Sequence, residues 1–206
     1  RKDAAELVAL GSDVLVAAVR REVVQQYAAV FEAAGLKLDR IGLRPYANAM
    51  ALRELLKHAM PERVLFIEVR PALTEIDVLR HGWLAFSRAA SVAVPKDWKD
   101  RGGPRLSLVR EGSLQVDSES GDAVIQSLLV EVTRSIEAYK ASDAGAVIDH
   151  AVIAGDLGLE ETLAEAIQRK LGIPTELYNP AASFGWEPDE GAAAAAFPST
   201  LGLVLG

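Results

Sequence analysis

The chain has 206 residues, half of them apolar, enough to bury a sizeable core in one unit of two lobes. Its 29 acidic residues outnumber 22 basic ones, giving a net charge of -7, and no basic run could follow a phosphate backbone, so no nucleic-acid partner is expected. The absence of cysteine removes disulfides, thiolate metal sites and thiol redox chemistry and fits a reducing compartment, while no apolar run reaches the roughly 18 residues that span a bilayer.

Residues 13–19 (DVLVAAV) read as a short strand, after which Val23, Tyr27, Phe31 and Ala34 recur at helical spacing up to a glycine stop at Gly35. Residues 38–43 (LDRIGL) alternate as a half-buried strand does, Pro45 suits the first turn of a helix, and residues 47–58 continue with good helix formers. Residues 1–60 therefore read as a small β-α-β-α module. The remainder, 61–206, reads as a second lobe that begins with β-rich runs at 64–69 (VLFIEV), 75–79 (EIDVL) and 83–87 (WLAFS), with His81-Gly82 as a tight turn in an antiparallel meander. Residues 95–121 hold Pro95, Gly102-Gly103-Pro104, Gly112 and Gly121 around two short runs, 106–109 and 113–116, and read as a loop-rich insertion with one hairpin.

Residues 122–140 give the clearest helix, with Ile125, Leu128, Leu129, Val132, Ile136 and Tyr139 in one apolar stripe. Residues 147–154 (VIDHAVIA) then read as a buried strand. Leu159, Leu163, Ile167 and Leu171 mark a helix ended by Gly172 and Pro174, which completes a parallel crossover unit. The alanine run 192–196 reads as a helix segment, and no internal repeat is present. Because the chain opens on Arg1, lacks a signal-peptide pattern and stops within an apolar run, it reads as a piece of a larger protein.

Motifs that would carry chemistry are mostly missing. His58, His81 and His150 have no metal-site spacing, Ser87, Ser91 and Ser183 lack a nucleophile elbow, and Gly102-Gly103-Pro104 lacks the Lys-Ser/Thr of a P-loop. The pairs Glu160-Glu161 and Asp189-Glu190 stand where helix N-terminal turns attract negative charge, a sufficient structural role. Trp83, Trp98 and Trp186 read as core or interface anchors, the last two as candidate partner contacts.

Three segments in order carry a resemblance: 14–52 (VLVAAVRREVVQQYAAVFEAAGLKLDRIGLRPYANAMAL), 64–88 (VLFIEVRPALTEIDVLRHGWLAFSR), and 129–180 with LLVEVTRSIEAY, VIAGDLGLEETLAEAIQRKLGIP and YNP. Together they are similar to the PilM family of type IV pilus assembly proteins, within the actin-like superfamily. The resemblance implies an α/β, actin-like (ribonuclease H-like) fold fragment in which 14–52 is an inserted module, 64–88 the second phosphate hairpin and 154–156 the adenosine turn.

Within that resemblance the nucleotide-binding positions depart from the pattern. The Asp-Ile-Gly of nucleotide-binding relatives reads Glu68-Val69-Arg70, Thr74 keeps the hairpin hydroxyl, and the Ala-Gly-Gly turn reads Ala154-Gly155-Asp156. An arginine in place of glycine obstructs close phosphate approach, and Asp156 sets a negative charge against a polyphosphate. The first phosphate hairpin would precede Arg1, and 91–95 (SVAVP) replaces a Gly-Gly-x-x-x-Thr segment. Glu68, Arg70, Thr74, Gly155 and Asp156 are thus expected to form a vestigial nucleotide site, without cofactor or catalysis.

The resemblance further implies a cytoplasmic scaffold at the inner membrane that holds a short segment of a PilN-like partner, alongside other assembly components and a self-associated form. Other readings stay open: the cytoplasmic domain of the type II secretion protein GspL, an actin-like ATPase with its first hairpin upstream, or an unrelated α/β binding domain.

Overall fold

The computed structural model describes residues 16–94, 106–108, 114–116, 119–186 and 197–205. Contacts divide the chain into two units, Arg1–Leu43 and Arg44–Gly206. In the first, helix α1 (Arg21–Ala33) closes with the Gly35 amide on the Glu32 carbonyl at 2.9 Å, and Gly35 adopts φ +67° as a glycine stop requires. Of the strands expected at 13–19 and 38–43, residues 16–19 and 38–43 have no ladder partner among the described residues, and residues 13–15 lie outside them. A lone extended segment leaves its N–H and C=O groups to water, so β-type composition alone does not make a strand.

The second unit opens with α2 (Arg44–Leu55), whose Pro45 lies in the first turn as expected. Its residues Ala47, Asn48, Ala49, Ala51 and Leu52 are buried within that unit, which is why the division falls before Arg44 and not at residue 60. Strands β1 (Arg63–Val69), β2 (Thr74–Arg80) and β3 (Trp83–Ala90) make the expected antiparallel meander. His81 and Gly82, with φ +51° and +77°, turn the chain between β2 and β3 as a two-residue hairpin loop needs. The insertion contributes an antiparallel pair, β4 (Leu106–Leu108) and β5 (Leu114–Val116).

Helix α3 (Glu119–Ser142) then leads to β6 (His150–Ala154), which lies parallel to β1; α4 (Glu160–Leu171) leads to β7 (Thr175–Leu177), parallel to β6. The five-stranded sheet has the order β3-β2-β1-β6-β7. Short α5 (Ala181–Phe184) and α6 (Pro198–Leu205) complete the unit.

Alternation along β1 divides the core. Leu65, Ile67 and Val69 join the apolar stripe of α3 and Leu163 and Ile167 of α4, whereas Val64 and Phe66 join Ala49 and Leu52 of α2, Tyr178 and the part-buried Leu201 of α6. Covered on both faces, β1 is apolar at every position from Val64 to Val69 except one, Glu68. Trp83 is 59% exposed with the Arg53 guanidinium 4.5 Å from its ring, Trp186 stacks on Phe184 at 4.6 Å, and Trp98, Asp189-Glu190 and the run 192–196 lie outside the described residues.

Candidate functional site

Parallel pairing of β1 with β6 sets Glu68 beside Ala154, so the turns that follow the two strands meet at one end of the sheet. In open α/β sheets this carboxyl end is where ligands sit. Glu68, Arg70, Gly155 and Asp156 lie at or just after these strand ends, and the Val69 carbonyl oxygen lies 3.0 Å from where a Cβ on Gly155 would stand. Thr74 is different. It pairs with Val69 on the α3 side of the sheet, fully buried, with an Oγ1 that has no hydrogen-bond partner among the described residues. Glu68 points to the opposite face.

On that opposite face the antiparallel register places Glu68 directly across from Glu75, with Asp77 two residues along the same strand. All three carboxylates are buried and converge on one amide: Asn48 Nδ2 of α2 lies 3.2 Å from Glu68 Oε2, 3.3 Å from Glu75 Oε2 and 3.4 Å from Asp77 Oδ2. Arg44 supplies charge, its Nε 3.3 Å from Glu75 and its Nη1 3.7 Å from Glu68, and Arg70 stands 4.0 Å from Glu68. Like charges opposed across a ladder repel.

Loss of water and that repulsion raise these carboxyls above their ordinary range. Burial pushes the Glu68 carboxyl up to about 7 against the pull of Asn48 and Arg44, and the Glu75 charge adds to the rise. Burial also raises Glu75, against the pull of Arg44, so the facing pair is held above the ordinary carboxylate range. Asp77 rises to about 6 through burial, opposed by the Ser87 hydroxyl and by Asn48. Glu68 is therefore bound into the interior of the sheet packing, not presented to a ligand.

The β6–α4 turn is also internally occupied. Glu160, in the first turn of α4, folds back so that Oε1 accepts the Leu157 amide and Oε2 the Gly158 amide, each at 2.8 Å. The N-cap residue is Leu159, which has no side-chain acceptor of its own, and the two amides that Glu160 satisfies belong to the turn that precedes it. Gly155, at φ +153°, is required by this arrangement, because a Cβ there would overlap the Glu160 carboxylate. The glycine thus makes room for a side chain of the same protein.

These residues do not suit a nucleotide. The Leu157 and Gly158 amides are bonded to Glu160, Asp156 adds a further carboxylate to the turn, and Arg70 adds a long side chain just after β1. No group of three or more His, Asp or Glu side chains among the described residues is arranged to hold a metal ion. His150 instead lies 3.1 Å from Glu176 across β6 and β7, and His81 is in its turn. A separate open groove of about 570 Å³, lined by Val92, Val124, Val130, Glu131 and Arg134 among others, shares no residue with the carboxylate cluster.

Sequence reasoning missed Asn48, Arg44, Glu75 and Asp77. The signal was present in part: Glu75 and Asp77 are two residues apart in a strand, hence on one face, and Glu68 stands in an otherwise apolar central strand. Only the register reveals that they face one another.

No known protein-family profile matches the chain. Among solved structures it is similar to a PilM–PilN type IV pilus biogenesis complex, with a TM-score of 0.64 and 19% identity over 91% of this chain and 58% of that one. It is also similar to MreB5 of Spiroplasma citri bound to AMPPNP and to ADP, with a TM-score of 0.52 and 13% identity for each, over 89% of this chain and 64% and 65% of those. The chain spans less than two thirds of each of these proteins. At such identities the likeness is one of fold, and the chain is an α/β protein with the actin-like fold of PilM and MreB, as its sequence resemblance implies.

Proposed function

We propose that this protein is a non-catalytic scaffold of a type IV pilus or related secretion assembly machine, holding a short segment of a PilN-like inner-membrane partner on the cytoplasmic side. The observation that carries the non-catalytic half is the Glu160 carboxylate seated on the Leu157 and Gly158 amides, beside a Glu68 bound into a buried cluster. Phosphoryl transfer asks a protein for positioned positive charge and open amides, and this end of the sheet offers carboxylates. The pilus half is supported by the fold shared with the PilM of the PilM–PilN complex. No helix among the described residues is long and apolar enough to cross a membrane, so in this reading membrane attachment comes through the partner.

Calorimetric titration of the full-length protein tests both halves, first with Mg-ATP and then with a synthetic peptide of the partner's cytoplasmic N-terminal segment. We expect no heat from Mg-ATP and saturable micromolar binding of the peptide. Saturable Mg-ATP binding accompanied by phosphate release would overturn the non-catalytic reading, and a silent peptide titration would overturn the assigned partner.

A further inference from the structure

Strand β3 lies at one side of the sheet, and its outer edge has no ladder partner among the described residues. An open edge presents N–H and C=O groups that another extended backbone satisfies in register, and proteins commonly block such edges with proline, lysine or a bulge. Here β3 contains neither residue, and its bulge lies toward the hairpin turn, so the pairs from Thr74↔Ala90 to Val78↔Phe86 stay regular. Just past the strand, Ser91 and Ala93 are exposed and make no backbone hydrogen bond with the described residues.

The groove of about 570 Å³ lies between residues 91–93 and α3, at the end of this edge. Its apolar lining includes Val92, Val124 and Val130. Among the described side chains that line it or bond to one that does, Arg88, Arg134 and Lys170 are cations and Glu131 is the one acid. Glu131 meets both Arg88 and Arg134 at 2.7 Å, so positive charge is in excess here although the whole chain carries -7. Register puts Arg88 on the α3 side of β3 with Phe86 and Ala90, while Ser87 and Ala89 are exposed on the other side.

We infer that the outer edge of β3 and this groove form a docking site for an extended segment of another protein, added as a further strand, with apolar residues at i and i+2 and acidic residues flanking them on the same face. Alternate residues of a strand share a face, so the apolar pair enters between Val92, Val124 and Val130 while the acids meet the arginines. A second copy of the chain fits less well, because its own β3 would bring Arg88 to a surface that is already positive. The inference goes beyond the scaffold reading and does not depend on it, since edge and groove share no residue with the turns at the carboxyl end of the sheet.

The probe is the end-blocked peptide Glu-Thr-Val-Thr-Val-Thr-Glu, titrated into 15N-labelled full-length protein. The Ser91, Ala93 and Val130 amides should shift saturably below about 2 mM peptide. With lysine in place of both glutamates, binding should be about tenfold weaker, and the difference should shrink in about 0.5 M salt. Val130 and Arg134 are 47% and 62% exposed, so substitutions there spare the core. Val130→Asp should weaken the acidic peptide about tenfold, and Arg134→Glu should abolish the preference for it over the lysine peptide. If Arg134→Glu does not fold, Arg134→Gln serves and should narrow that preference. No saturable shift, equal binding of the two peptides, or binding indifferent to both substitutions would overturn the inference. So would shifts of the same amides on raising the protein concentration without peptide, which would make a second copy the occupant.

Discussion

Asn48 is one amide serving three buried carboxylates, with only two N–H groups to give. The arrangement holds together because Glu68 retains its proton up to about pH 7 and Asp77 up to about 6. A folded-state value above the unfolded one means that the native protein holds protons the unfolded chain has released, so this contribution to stability is complete at low pH and is lost as pH rises. For Glu68 the window runs from 4.5 to about 7, and for Asp77 from 3.8 to about 6. Asp143 has the opposite sign, since the Tyr139 hydroxyl and two arginines hold its carboxyl below the usual range; its contribution falls away only in acid and leaves the interval from pH 5 to 8 undisturbed. Urea unfolding should therefore show a more stable protein at pH 5 than at pH 8. Glu68→Gln, which mimics the protonated acid, should gain about 2 kcal/mol at pH 8 and little at pH 5. Asn48→Ala should lose about 2–3 kcal/mol, and more at pH 8 than at pH 5, because it strips the donor from carboxylates that are then ionised. A pH-independent loss in Asn48→Ala would mean that packing, not charge, is what Asn48 supplies.

Helices α2 and α6 cover the same face of the sheet, and they meet where Gly202 is buried against the backbone of Ala47. A Cβ on Gly202 would overlap the Ala47 carbonyl, so the close crossing depends on a residue without a side chain. Gly202→Ala gains in intrinsic helix propensity yet must push the two helices apart, and the net effect should be a loss of about 1–3 kcal/mol, measured as a lower urea midpoint at unchanged m-value. A stabilised Gly202→Ala would show that the helices adjust freely. The same crossing explains part of what the sequence conveyed and part of what it hid. Helices α3 and α4 were legible because their apolar stripes repeat at helical spacing, and β1 because both of its faces are buried. Residues 16–19 and 38–43 have β-type composition yet no ladder partner among the described residues, because β-type residues give no information about whether a neighbouring strand exists to pair with them. Glu160-Glu161 was legible as a helix start, but that Glu160 folds back onto two amides follows from the turn geometry, which two-letter patterning does not encode.

At the scale of the whole chain the two units differ in kind. The second carries a core on both faces of its sheet, so β1 and β6 should open only with global unfolding. In the first, α1 has an apolar run that includes Val24, Tyr27 and Val30, all exposed, and it buries no residue. At 13 residues it is near the lower limit of helices that persist without tertiary support, and it has neither a side-chain N-cap nor a basic residue in its last turn to offset the macrodipole. Native-state hydrogen exchange should therefore separate them, with α1 amides exchanging at least about 1,000-fold faster than those of β1 and β6, the ratio that a difference of roughly 4 kcal/mol in opening free energy produces. Equal protection of α1 and β1 would mean that the stripe of Val24, Tyr27 and Val30 is covered in solution, and dilution would then distinguish a second copy of the chain, whose cover is lost at low concentration, from cover within one chain, which is not.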